Sequence, residues 1–473
     1  MSEERDLPVL SAPAEVAPEV SAVPVEPVPE PPRASMRRRR LAIALAVGLV
    51  AGAGYVGVHQ VRSGQPPVTS TSPAPTITST SPDVGAEAAV RRSAAGGSLL
   101  QRMASAMLAG DQNSFSAALD PRAGDFGAQA QQVYDNFRTL PLASIVMRYV
   151  SDDPDALPLA RRRALGGSEA WLAQVEVSWR LRDFDEQPVR LMVPVTMVTR
   201  DGTSYVASFT DQDTSRRPVW LLGTLRVQRG ERSLVVSLDP NADLTVYAHQ
   251  LDRAIEDVSK VLGRKWRRQV VFYLPRTERQ MEYVLGAPAG TYARIAAVTT
   301  AEADERVAGV PVRIVGNPPV LNKAGLQGRR IVFTHETTHI AANATVSGVP
   351  LWLAEGFADY VAFKTVDVST DAVAKDLFGL VRAGKGPKAL ADPASFAATA
   401  SERRLAVAYA GSWLACRLIA TDYGEPKLVR FYREVHSSSS PSALDDAFHD
   451  VLGTSQQQFV SDWQRYLKRL AND

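Results

Sequence analysis

Ile331-Val332-Phe333-Thr334-His335-Glu336-Thr337-Thr338-His339-Ile340 places two histidines four residues apart, with a glutamate directly after the first. On a helix, residues four apart lie on one face. His335 and His339 then present their ring nitrogens to a single point. Imidazole is a good zinc ligand, and catalytic zinc keeps three protein ligands and one open position. Glu336, one residue round the helix, cannot readily share the ion. It can reach a water held there and take its proton as that water attacks a carbonyl. The bland alternative is a surface helix with two unrelated histidines. The flanks oppose it: Ile331, Val332 and Phe333 precede the pair, and Ile340, Ala341 and Ala342 follow. Such a helix is buried, and buried polar side chains need partners.

A third ligand is expected from Val349-Pro350-Leu351-Trp352-Leu353-Ala354-Glu355-Gly356-Phe357-Ala358-Asp359-Tyr360. The pattern predicts a second helix, with Pro350 near its first turn. The short connection through Gly348 predicts that the two helices pack as antiparallel neighbours. Glu355 then falls opposite the histidine pair. Asp359, one turn further on, can accept the free ring N–H of a ligating histidine. Glu355 read alone is a solvated acid, but Trp352, Leu353 and Phe357 make its helix mostly apolar.

At these residues the chain resembles the gluzincin metallopeptidases, in which H-E-x-x-H is followed downstream by a helix bearing Glu and then Asp. The phrase from Pro350 to Tyr360 looks especially like the peptidase MA-like proteins. The resemblance covers about 233–473 and is strongest over 331–363. It implies Zn2+ held by His335, His339 and Glu355, with Glu336 as the catalytic base. It also implies a sheet-bearing upper lobe and a helical lower lobe with a cleft between them. An edge strand would align a peptide substrate there, and Val312-Arg313-Ile314-Val315 is the candidate. The family also uses a Tyr or His to stabilise the tetrahedral oxyanion. Tyr409 is one candidate, against the alternative of a core aromatic; His436 is a weaker one, because it leads into the serines at 437–440.

Upstream, residues 233–315 carry strand-like runs at 234–238, 270–274, 292–299 and 310–315, with an amphipathic helix over 243–262. From 329 onward the pattern is almost wholly helical. These segments form the metallopeptidase-like unit, 231–473. Residues 86–230 read as a separate small α+β domain. Helical periodicity runs over 87–119 and 127–138, then strand-like runs follow at 143–150, 168–181, 188–199, 203–209 and 218–228. In the second of these, Val175, Val177 and Trp179 alternate with polar residues as a half-buried antiparallel strand does. The order resembles the NTF2-like fold, helices against a curved sheet. A partner protein could be expected there.

The first 85 residues differ in kind. Residues 1–36, rich in Pro, Glu, Val and Ala, cannot bury enough apolar area to offset chain entropy and read as a disordered tail. Arg37 to Arg40 form an uninterrupted basic run, and Leu41 to Val58 has no charged residue. Eighteen helical residues span roughly 27 Å, close to a bilayer's hydrocarbon thickness. A cleaved signal peptide is the alternative, but the tail before the basic run is far longer than a signal n-region. Residues 37–60 therefore predict one transmembrane helix, with the N-terminus cytoplasmic and the rest of the chain extracytoplasmic at the cell membrane. Residues 61–85, rich in Ser, Thr and Pro, form a spacer.

The expected fold class is thus multidomain α+β with a single transmembrane helix. Lys and Arg total 53 against 51 Asp and Glu, a net charge of +2, which gives no reason to expect nucleic acid. One cysteine, Cys416, excludes an intrachain disulfide and reads as a small core residue. Two functions compete: a membrane-anchored peptidase acting on a peptide or protein, and an interaction or scaffold protein whose zinc site is structural or inactive. Retention of Glu336 beside the ligands favours the first.

Overall fold

The computed structural model describes residues 84–473, apart from 123, 154, 167–168, 303–308, 347, 398 and 439. Helix α1 (Val84–Ala109) buries Leu99, Leu100, Met103 and Met107. The helix expected over 87–119 is broken in two. Gly110 adopts φ +75°, and Asp111 accepts from the Ser114 amide to cap α2 (Gln112–Ala117). Helix α3 (Phe126–Thr139) follows. Strands β1 (Leu142–Asp153), β2 (Glu169–Leu181), β3 (Val189–Arg200) and β4 (Thr203–Ser208) pair antiparallel in sequence order, with a short α4 (Leu159–Leu165) between the first two. Along β2, alternate residues Trp171, Ala173, Val175, Val177, Trp179 and Leu181 are buried against the helices. That is the period-two pattern of a sheet with one covered face.

The strand expected over 218–228 takes a different form. Residues Val219–Leu221 make a 3-10 turn whose Trp220 packs against Phe137 and Trp179, with centroids 4.9 and 5.9 Å away. Only β5 (Arg226–Arg229) is extended, and it pairs with β6 (Ser233–Ser237) in a second sheet. That sheet has the order β5-β6-β7-β9-β8, with β7 (Val270–Leu274), β8 (Ala297–Ala301) and β9 (Val312–Gly316). The β6–β7 and β7–β9 pairs are parallel, and β8 runs antiparallel to β9. Helices α5 (Leu244–Leu262) and α6 (Glu278–Leu285) lie between these strands in the chain.

Both faces of this sheet are covered, as parallel strands require. Val235, Phe272, Leu274 and Ile314 face a core shared with the helices that follow. Leu234, Val236, Val271, Tyr273 and Val315 belong to the same apolar core as the first sheet. The rest is helical, as expected from 329 on: α7 (Pro318–Ala341), α8 (Leu351–Phe363), α9 (Thr370–Val373), α10 (Lys375–Arg382), α11 (Glu402–Asp422), α12 (Glu425–Ser437), α13 (Ala443–Ala447) and α14 (Gln456–Asn472).

Three expectations are corrected here. The architecture is mixed α/β and multidomain, and no helix among the described residues is long and apolar enough to cross a membrane. The two longest, α1 and α7, carry charges along their length, including Arg91, Arg92 and Arg102 in one and Lys323, Arg329 and Arg330 in the other. The single transmembrane helix, the single-pass placement at the cell membrane and the extracytoplasmic catalytic domain are withdrawn accordingly. The stretch Leu41–Val58 on which they rested lies outside the described residues, as do the Pro-rich tail and the spacer up to residue 83. Finally, Val312–Val315 is not an edge. It lies in β9, between β7 and β8, and its Ile314 and Val315 are fully buried. The edge strand on that side is β8.

Candidate metal centre

Helix α7 begins with Pro318 and Pro319, whose fixed φ suits a first turn. Gly325, at φ +64° and ψ −173°, breaks the helical path and re-aims the segment that follows. In that segment every residue from Ile331 to His339 is buried. The histidines are therefore not on a solvated face, and the surface-helix reading is excluded.

The geometry brings the expected side chains together. His335 and His339 stand edge to face, with their Nε2 atoms 3.0 Å apart. Glu355, from the middle of α8, places Oε2 at 3.2 Å from His335 Nε2 and 3.5 Å from His339 Nε2. Asp359, one turn further along α8, has Oδ1 at 2.8 Å from His335 Nδ1. It thereby holds that ring so that Nε2 faces the other two ligand atoms.

Helix α8 can present Glu355 here because Gly356 lets it lie directly on α11. A Cβ at Gly356 would meet the Ser412 carbonyl oxygen at 2.3 Å. Phe357 and Trp352 pin the rest of the helix in the core.

The charges of these buried side chains are strongly coupled. Burial alone would lower the His335 pKa, but the contacts with Asp359 and then Glu355 outweigh it and raise it well above the usual value. Burial opposes ionisation of Glu355, yet the neighbouring His339 and His335 hold it well below the usual carboxylate range. Asp359 moves the other way, raised chiefly by burial.

Three observations test whether a divalent ion fits. The three facing atoms are separated by 3.0, 3.2 and 3.5 Å. Ligands about 2.0–2.1 Å from a tetrahedral centre are spaced about 3.3 Å apart. Glu355 Oε2, although near both rings, makes no hydrogen bond, and it is buried. Such a carboxylate oxygen costs several kcal/mol unless something neutralises it. The donor set, two imidazoles and one carboxylate, is also the kind that zinc favours. This buried His335–His339–Glu355 group can hold a metal ion.

Glu336 is adjacent and fully buried. Its Oε2 accepts from Thr299 Oγ1 at 2.6 Å, and its Oε1 has no partner. Nothing in the sequence marked Thr299; a threonine in a short strand belongs to no motif. Tyr409, on α11, is buried, and its hydroxyl pKa is raised well above the usual value. Burial is the main cause, followed by the charges of Glu355, Asp359 and Glu336. The tyrosine thus borders the acidic cluster as well as packing on Phe396. His436 does not join it. Burial is the sole cause of its lowered pKa, so no carboxylate of the cluster acts on it. Cys416 is a fully buried core thiol on α11.

No family model matches this chain, and no curated protein matches it. Among solved structures, native yeast LTA4 hydrolase aligns with 58% of this chain at 12% identity and a TM-score of 0.31. The aligned part spans 44% of that enzyme. A likeness at that level is too slight to assign a fold or an activity.

Proposed function

We propose that this chain is a zinc-dependent hydrolase that cleaves peptide bonds, with His335, His339 and Glu355 as metal ligands and Glu336 as general base. One observation carries the reading. Three buried ligand atoms converge, and beside them a buried glutamate keeps one carboxylate oxygen free of any protein partner. A purely structural site has no use for that free base.

A zinc ion held by the triad would supply Lewis acidity, polarising a carbonyl and making nearby water more acidic. The chain's own groups do the rest. Asp359 fixes the His335 ring and its tautomer. Glu336 Oε1 takes a proton from the attacking water and passes it to the leaving amine nitrogen. The Tyr409 hydroxyl, kept protonated by burial and by its acidic neighbours, is a hydrogen-bond donor suited to a developing oxyanion. The β8 edge, tied to Glu336 through Thr299, offers backbone groups along which an extended peptide can pair.

The test is digestion of a peptide library by the full chain loaded with zinc, beside the Glu336→Gln variant and a chelated sample. Cleavage should fall by about 10²–10⁴-fold in the variant and vanish with chelator. Equal cleavage with and without the substitution would sink this reading. Bound zinc with no cleavage in either protein would instead support a structural metal site.

A further inference from the structure

The two oxygens of Glu336 have different surroundings. Oε2 accepts from Thr299 Oγ1 at 2.6 Å, while Oε1 is buried and unpartnered. The same hydroxyl lies 3.2 Å from the Glu336 backbone carbonyl. It has one proton to give, and the shorter contact to a charged acceptor takes it. Thr299 is 3% exposed, so the bond is shielded from bulk solvent. Its side chain is branched at Cβ and stiff about χ1. Its strand is held as well. Thr299 pairs with Ile314 and Thr300 with Arg313 across the β8–β9 ladder. Just beyond the strand, Glu302 is ion-paired to Arg313 at 2.7 Å. A rigid donor on a fixed strand therefore meets a carboxylate that the metal-site helix carries.

We infer that Thr299 is a positioning residue for Glu336: by engaging Oε2 it fixes the carboxylate and leaves Oε1 as the oxygen that exchanges the proton. This rests on Glu336 being the base. Thr299 itself neither gains nor loses a proton; it donates one hydrogen bond throughout. Because it lies on the edge strand, the same element that would align a peptide also sets the base.

The test uses the full chain and two independent readouts. With zinc loaded, kcat and KM are measured on one quenched fluorescent peptide chosen from the library digestion. Thr299→Val should lower kcat by about 10–100-fold with little change in KM, the size expected when a catalytic group is misplaced by about an ångström. Thr299→Ser, which restores the hydroxyl, should recover most of it. Without metal, denaturant midpoints are measured for Thr299→Val, Glu336→Ala and the double variant. The valine should shift the midpoint in the native background and much less in the alanine background. Additive midpoints, wild-type kcat in Thr299→Val, or no recovery in Thr299→Ser would overturn the positioning role while leaving the base assignment intact. Full activity in Glu336→Gln would overturn the base assignment and the positioning role together.

Discussion

At His335 the two ring nitrogens have separate tasks. Nδ1 is bound to Asp359, and Nε2 faces His339 and Glu355. Losing a ligand should empty the site, so His339→Ala should hold no zinc by elemental analysis; zinc retained at the wild-type ratio would refute the ligand set. Losing the ring's anchor should only weaken it. Asp359→Asn should bind zinc about 10–100-fold less tightly in a chelator competition. Charge pairs elsewhere follow the same rules. Asp120 is buried and meets Arg200 at 2.6 and 2.7 Å. Burial would raise its pKa, but Arg200 outweighs that and holds it below the ordinary 3.8. A depressed acid pKa stabilises above the unfolded value and stops doing so as pH falls through the folded one. Asp120→Asn should therefore cost about 3–5 kcal/mol at pH 7. In urea titrations its gap to the wild type should narrow below pH 3.8, where the unfolded carboxyl takes up a proton while the native one is still ionised.

At the scale of elements, Gly356 sets how close α8 comes to α11. Gly356→Ala would press a methyl against the Ser412 carbonyl. Overpacking of that kind costs about 1–3 kcal/mol. It should also displace Glu355, so the variant should bind zinc more weakly as well as unfold earlier; normal zinc affinity would show that the helix absorbs the strain without moving its ligand. The two helices were legible in the sequence because their information is local. The H-E-x-x-H spacing is a helix-face property, and the apolar residues around Glu355 and Asp359 announce a buried partner. The strands were legible only as strands. The runs at 270–274 and 310–315 were apolar enough to find, but apolarity does not say which one lies at the edge. Strand order is set by parallel pairing between segments some forty residues apart, such as Phe272 with Ile314. Val312–Val315 therefore reads as an edge in the sequence, whereas β8 forms it.

Across the whole molecule, the two sheets are tied together by one buried cation. Arg313, on β9 and 1% exposed, pairs with Asp185 at 2.8 and 2.9 Å, from the β2–β3 connection, and with Glu302. Asp185→Ala should lower stability by about 1–3 kcal/mol, because it leaves two buried guanidinium N–H groups without an acceptor while Glu302 still balances the charge. A fragment starting at residue 231 should fare worse, since it also bares Leu234, Val236, Val271 and Tyr273; cooperative unfolding of that fragment at the full chain's midpoint would refute the coupling. Metal should add to this. Zinc in 1,000-fold excess over its Kd should stabilise the folded chain by about 4 kcal/mol, so chelation should lower the thermal midpoint. The sequence alone pointed to the His335, His339 and Glu355 constellation with Glu336 beside it, and to the helical character of the C-terminal half, because helix-face spacing is decided within a few residues. Only the tertiary structure decided that the first sheet shares a core with the second, that β8 is the edge, and that Thr299 meets Glu336. Those contacts join residues 37 to 128 positions apart, and no local pattern encodes which partner a buried polar group will find.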